Sequence, residues 1–136
     1  MEDTVFAKIV TKEIPAEIIY EDENTLAFLD IMPDSLGHTL VIPKKSCRNI
    51  FDVDEETFAA VMRAVRMLAP IIKESVAADG MRIIMNNEKA GGQVVFHLHV
   101  HMIPFFNEKP PVFEHKEMAD AEKLKALGDS IRAKLV

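Results

Sequence analysis

The run Phe96-His97-Leu98-His99-Val100-His101-Met102-Ile103-Pro104 limits what this chain can fold into more than any other stretch. Two chemical types alternating at a period of two are the pattern of a half-buried β-strand, whose successive side chains point to opposite faces. Phe96, Leu98, Val100 and Met102 are therefore expected to face a core, and His97, His99 and His101 to line the opposite, exposed face. The spacing predicts a strand over Val94–Ile103, entered from a glycine loop at Gly91-Gly92. Imidazoles titrate near neutrality and serve as nucleophiles, acids or metal ligands, so such a face concentrates chemistry.

The rest of the chain supplies partners for that strand. A short helical stretch near residues 4–11 precedes the turn at Pro15. Glu17–Tyr20 and Thr25–Asp30 read as a hairpin around a polar break, and His38–Pro43 as a third strand after a turn at Pro33–Gly37. From Asp54 to about Ala78 the period changes: Phe58, Val61, Met62, Val65, Leu68, Ile71, Ile72 and Val76 recur at three- and four-residue steps, as one apolar helix face requires. Asp52 or Asp54 is expected to cap this helix, Pro70 to kink it and Gly80 to stop it. A strand over Met81–Asn86 follows, and a last helix over about Lys116–Leu135 with a stripe of Leu124, Leu127, Ile131 and Leu135. Strands in runs around one main helix predict an α+β fold with a largely antiparallel sheet.

With 136 residues, the chain has the length of one domain. A net charge of −6 argues against non-specific binding to nucleic acid or to an anionic membrane surface. One cysteine, Cys47, excludes an intrachain disulfide and a cysteine-rich zinc site; the neighbouring Lys44-Lys45 pair could lower its pKa, but without a partner nearby in sequence it reads as a bystander. The first ten residues, charged at once and without a long apolar run, do not read as a secretory leader, and no stretch is apolar enough to span a membrane. The expected location is cytoplasmic.

Three readings of the histidine strand compete on its residues alone. It is a polar strand face, a metal site, or a centre for phosphoryl or nucleotidyl transfer. No Cys lies nearby, and no Asp or Glu within the strand completes a metal shell.

The segment AGGQVVFHLHVHMIP resembles the histidine triad (HIT) family, whose signature is His-x-His-x-His followed by two apolar residues. The likeness continues upstream through FAKIVTKEIPAEIIYED, LAFLDIMP and GHTLVIPKK, and is nearest to the Hint-type branch of nucleoside phosphoramidate hydrolases. The resemblance implies a single HIT domain over residues 1–136, with a core over 4–104 and a C-terminal extension over 105–136. It implies a homodimer, each subunit carrying a five-stranded antiparallel sheet, one long helix, a short N-terminal helix and a C-terminal helix.

The implied reaction is hydrolysis of a purine nucleoside phosphoramidate through a nucleotidyl-histidine intermediate, without cofactor or metal. His99 would be the nucleophile, His101 would contact the phosphoryl group and protonate the leaving group, and His97 with His38 would fix tautomers. Phe6, Phe28 and Ile31 would sandwich the base and Asp30 would take the ribose hydroxyls. Asn86, Gly92, Gln93 and Val94 would surround the phosphate, the amides of Gly91, Gly92 and Gln93 approaching it closely. Two departures stand out. Thr4, Ala7 and Ser46 replace the cysteines and histidine that hold zinc in some relatives, and Val94 replaces a serine. The alternatives are a dinucleoside polyphosphate hydrolase of the same family and a nucleotide-binding scaffold with vestigial activity.

Overall fold

The computed structural model describes residues 3–108 and 117–135. Its elements are α1 (Val5–Val10), β1 (Glu17–Glu21), β2 (Thr25–Leu29), β3 (Thr39–Pro43), α2 (Glu55–Val76), β4 (Gly80–Ile84), β5 (Val100–Phe105) and α3 (Ala121–Lys134). The strands form one antiparallel sheet in the order β1-β2-β3-β5-β4, which gives the expected α+β architecture.

Both faces of the sheet are covered, which is why β2 and β3 are buried along their whole length. On one face Ala27, Leu29, Val41, Val100 and Met102 meet Val61, Val65, Leu68 and Ile72 of α2 and Ile131 of α3. On the other, Leu26, Phe28, Leu40 and Ile42 meet Phe6 and Ile9 of α1. Alternation along each strand separates these two sets.

Helix α2 starts at the N-cap Asp54, whose side chain accepts from the Thr57 amide, and runs unbroken through Pro70. An interior proline costs a helix about 3 kcal/mol. Here Pro70 sits on the exposed side, and the six buried residues Val61, Ala64, Val65, Leu68, Ile72 and Val76 outweigh it, at roughly 2 kcal/mol for each fully buried larger side chain. The helix ends at Val76, with Ala77 in the left-handed conformation at φ +55°; Gly80, expected as the stop, opens β4 instead.

Helix α3 begins at Ala121, later than its periodicity suggested, because the Asp120 carboxylate accepts from the amides of Glu122 and Lys123 and caps it there. Gly128 lets it close on β1, and Arg132 reaches the Glu17 carboxylate and the Ile18 carbonyl, both at 2.6 Å. The β1 edge, which also carries a bulge between Ile18 and Tyr20, is thereby blunted. At the opposite end of the sheet, no described element pairs with the outer side of β4, where Ile83 is exposed.

The largest departure from the sequence pattern concerns the histidine strand. The ladder begins only at Val100, and residues 94–99 lie outside it. That segment is held by the end of β3 and the stretch after it: the Leu98 amide donates to the Cys47 carbonyl at 2.9 Å, and His97 Nε2 lies 2.8 Å from the Pro43 carbonyl oxygen. Phe96 is not a core residue as expected but lies beneath the Arg48 guanidinium, 4.2 Å from it. His97 and His99 are not exposed either, at 1% and 6% of full accessibility.

Candidate active site

The sheet face under α1 opens into a cavity of about 620 Å³. Phe6, Phe28, Asp30, Ile31, Asn86, Gly92, Val94, His99 and His101 all contribute to its wall, so most of the expected site is brought together. His101 is placed by β5, between Leu40 of β3 and Ile84 of β4. Phe6 stands edge-on to Phe28, with centroids 5.6 Å apart, and to His99 at 4.9 Å. The stretch Ile14-Pro15-Ala16 and Leu40 complete the apolar wall; their sequence signal, a turn and a strand, did not mark them.

Two tautomers follow from hydrogen-bond partners. His99 Nδ1 lies 2.7 Å from the His97 carbonyl oxygen, an acceptor only, so this nitrogen carries the proton and Nε2 keeps its lone pair. Burial, the largest influence, pushes the His99 pKa down to about 4, which keeps the ring neutral at pH 7. His38 is buried just before β3, where the Asp34 amide donates to its Nδ1 at 2.9 Å. Its proton therefore sits on Nε2, 2.9 Å from His101 Nδ1, and a neutral His101 carries its own on Nε2.

His97 stands apart from this pair. Its ring donates to Pro43, its buried Nδ1 has no partner among the described residues, and its carbonyl oxygen is what reaches His99. Burial also lowers its pKa.

The remaining expected residues divide. Asp30 Oδ1 accepts from the Met32 amide at 2.8 Å, while Oδ2 lies 3.6 Å from His38 Nε2. Asn86 packs against Gly92, whose φ of +91° suits glycine. Gln93 is not part of the wall: its side chain donates to the carbonyls of Arg48 and Val95 and accepts from Asn49 and the Glu88 amide. The amides of Gly91 and Gln93 both donate to the Glu88 carbonyl and that of Gly92 to Lys89, so the three expected anion donors are already committed within the loop. The Val94 amide meets no carbonyl among the described residues. Arg48, Asn49 and Glu88, which hold this loop, went unmarked in the sequence because their partners lie about forty positions apart.

Lys44 and Lys45 pair with Glu21 and Asp54 rather than facing the cavity. At Cys47, burial, aided by Asp52 and Asp54, pushes the thiol up to about 11 and outweighs Lys45, so the lysine pair does not activate it. Phe105 neither covers the cavity nor lies free, since Arg82 stacks on it at 4.4 Å. His115 lies outside the described residues.

One described cluster has cation-binding donors, namely Asp30, His38 and His101, with donor atoms within 4.8 Å of one another. Coordination at His38 Nε2 would force its proton onto Nδ1, directly against the Asp34 N–H. The donor set is therefore committed to holding protons rather than a metal.

His99 and His101, side by side on the wall of one cavity, define a histidine-centred site. Residues 11–108 match the HIT domain, and the chain belongs to the HIT family. It is 41% identical over 103 residues to the purine nucleoside phosphoramidase of Escherichia coli K12, covering 75% of this chain and 87% of that protein. A hypothetical histidine triad nucleotide-binding protein of Sulfolobus tokodaii superposes with a TM-score of 0.89 at 40% identity, covering 96% of this chain and 90% of that one. A HIT-like protein of Bartonella henselae superposes with a TM-score of 0.86 at 41% identity, covering 96% and 95%. Among the described residues no helix is long and apolar enough to cross a membrane.

Proposed function

We propose that this chain is a nucleotidyl hydrolase that cleaves the P–N bond of purine nucleoside phosphoramidates. The observation that carries the reading is the unprotonated Nε2 of His99 in the cavity, its opposite nitrogen tied to the His97 carbonyl. A neutral imidazole so fixed is a ready nucleophile.

His99 Nε2 forms a bond to the α-phosphorus while the P–N bond breaks. The substrate nitrogen, protonated before it departs, leaves as the amine while His101 holds its Nε2–H on the phosphoryl group. Water then attacks the phosphorus, loses its proton to solvent and expels His99, which releases the nucleoside monophosphate. The base fits between Phe6, Phe28 and Ile31, and the Asp30 carboxylate accepts from the ribose hydroxyls. Asn86, Gly92 and the Val94 amide border the phosphate. The identity with the phosphoramidase supports this substrate class. We place a second copy against the open β4 edge, where Ile83 is exposed.

The test is intact mass spectrometry during turnover of adenosine phosphoramidate, quenched without acid. An adenylyl adduct on the wild type, absent in His99→Ala, is expected. Release of neither adduct nor AMP would favour a nucleotide-binding scaffold, and a higher rate on dinucleoside polyphosphate would favour that substrate instead.

A further inference from the structure

Glu88 lies outside the cavity wall, yet it organises the loop that borders it. Its backbone sits at φ +65° and ψ +162°, a region that is essentially glycine's alone. A side chain persists in such a conformation only when its surroundings overdetermine it, and here they do. The Glu88 carboxylate accepts from Arg48 Nε at 2.9 Å, Arg48 Nη2 at 3.0 Å and Asn49 Nδ2 at 2.6 Å. Its amide donates to Gln93 Oε1 at 2.8 Å, and its carbonyl oxygen accepts from the amides of Gly91 and Gln93. Gln93 in turn donates to the Arg48 carbonyl at 2.7 Å, closing the ring.

Arg48 also stacks on Phe96, the residue before His97. One guanidinium thus touches both the glycine loop and the segment that presents His99. A charged pair on an open surface needs no such convergence, and a glycine at position 88 would relieve the backbone directly. The loop keeps a glutamate where glycine fits better.

We propose that Glu88 is a positioning residue: gripped by Arg48 and Asn49, it holds the loop so that the Val94 amide stays on the cavity rim to meet the phosphoryl oxygens. This rests on the proposed nucleotidyl transfer. The Val94 amide suits the role because the three preceding amides are committed within the loop.

The test compares the wild type, Glu88→Gly and Glu88→Gln for adenosine phosphoramidate turnover and thermal unfolding. Glu88→Gly is expected to lower kcat between about tenfold and a hundredfold, as a displaced phosphate donor does. KM is expected to change less than about threefold, because only an interaction strengthened in the transition state is lost. Its Tm should stay within a few degrees of the wild type, since glycine removes the strain. Glu88→Gln, which keeps an acceptor for Arg48, is expected to fall between the two. Wild-type kcat in Glu88→Gly, or kcat and Tm falling together in both variants, overturns the assignment and leaves the hydrolase reading intact. A wild type without turnover overturns both.

Discussion

The Nδ1–H of His99 donates to the carbonyl oxygen of His97 at 2.7 Å, so the backbone of one histidine sets the reactive nitrogen of the next. The His97 ring acts only through Pro43, one contact further away. Their substitutions should therefore differ in size. His99→Ala is expected to reduce kcat/KM for adenosine phosphoramidate by at least about a thousandfold, roughly 4 kcal/mol of barrier, and His97→Gln by about tenfold. Steady-state kinetics on both variants checks the ratio; equal losses would contradict the separation.

The low pKa of His99 sets a pH dependence. Because the folded ring titrates near 4, the nucleophile stays unprotonated from pH 8 down to about 5, and kcat/KM limited by it should fall only as pH approaches 4. The same shift acts on stability. An unfolded histidine binds its proton near pH 6.5, the folded His99 not until about 4, so the unfolded state binds more protons between these values. Stability is then fully present above pH 6.5 and declines as pH falls toward 4, by about 3 kcal/mol for this residue. Urea unfolding of the wild type and His99→Phe at pH 7.5 and 5 measures it: the variant should lose less.

Gly37 supports His38 from the preceding position. Its φ is +89°, and a Cβ there would lie 2.9 Å from Val76 Cγ1 and 3.2 Å from Pro104 Cγ. Gly37→Ala is expected to destabilise the fold by about 2 kcal/mol and to lower turnover by displacing His38 from His101. Denaturant midpoints with kinetics at the same temperature test both effects.

Gly128 plays a different part, since its φ is ordinary for a helix and space is what it supplies. A Cβ at this position would run into the Glu17 carboxylate, which Arg132 also holds. Gly128→Ala should gain helix propensity of about 1 kcal/mol yet destabilise the protein, because the docking of α3 fails first. A raised Tm would show that Glu17 can turn aside.

Metal has no place in the derived chemistry. Prolonged dialysis against a chelator is expected to leave phosphoramidate turnover unchanged. Activity lost on dialysis and restored by zinc would show that His38 gives up its bond from Asp34.

The sheet, the long helix and the gathering of His99, His101, Phe6 and Phe28 were legible because each rests on local periodicity or on a contiguous motif. What stayed hidden depended on distant partners. Alternation placed the start of the strand at Val94, but carbonyls of Pro43 and Cys47 draw residues 97 and 98 away from the ladder. The pattern therefore misjudged exposure: His97 and His99 are buried instead of lining an open face. The lysines beside Cys47 in sequence likewise say nothing of its depth, and depth is what raises the thiol.

The unequal edges of the sheet bear on how this chain assembles. In the vocabulary of polymers, a strand protein with two open edges is a bifunctional monomer, able to add neighbours without limit. With β1 blunted by Arg132 and a bulge, and β4 the one edge left unpaired among the described residues, the sheet is monofunctional. Two copies joined through β4, as proposed above, would consume both reactive ends and leave a blunted β1 at each margin, so growth along the sheet would terminate at the pair and not run on to a fibre.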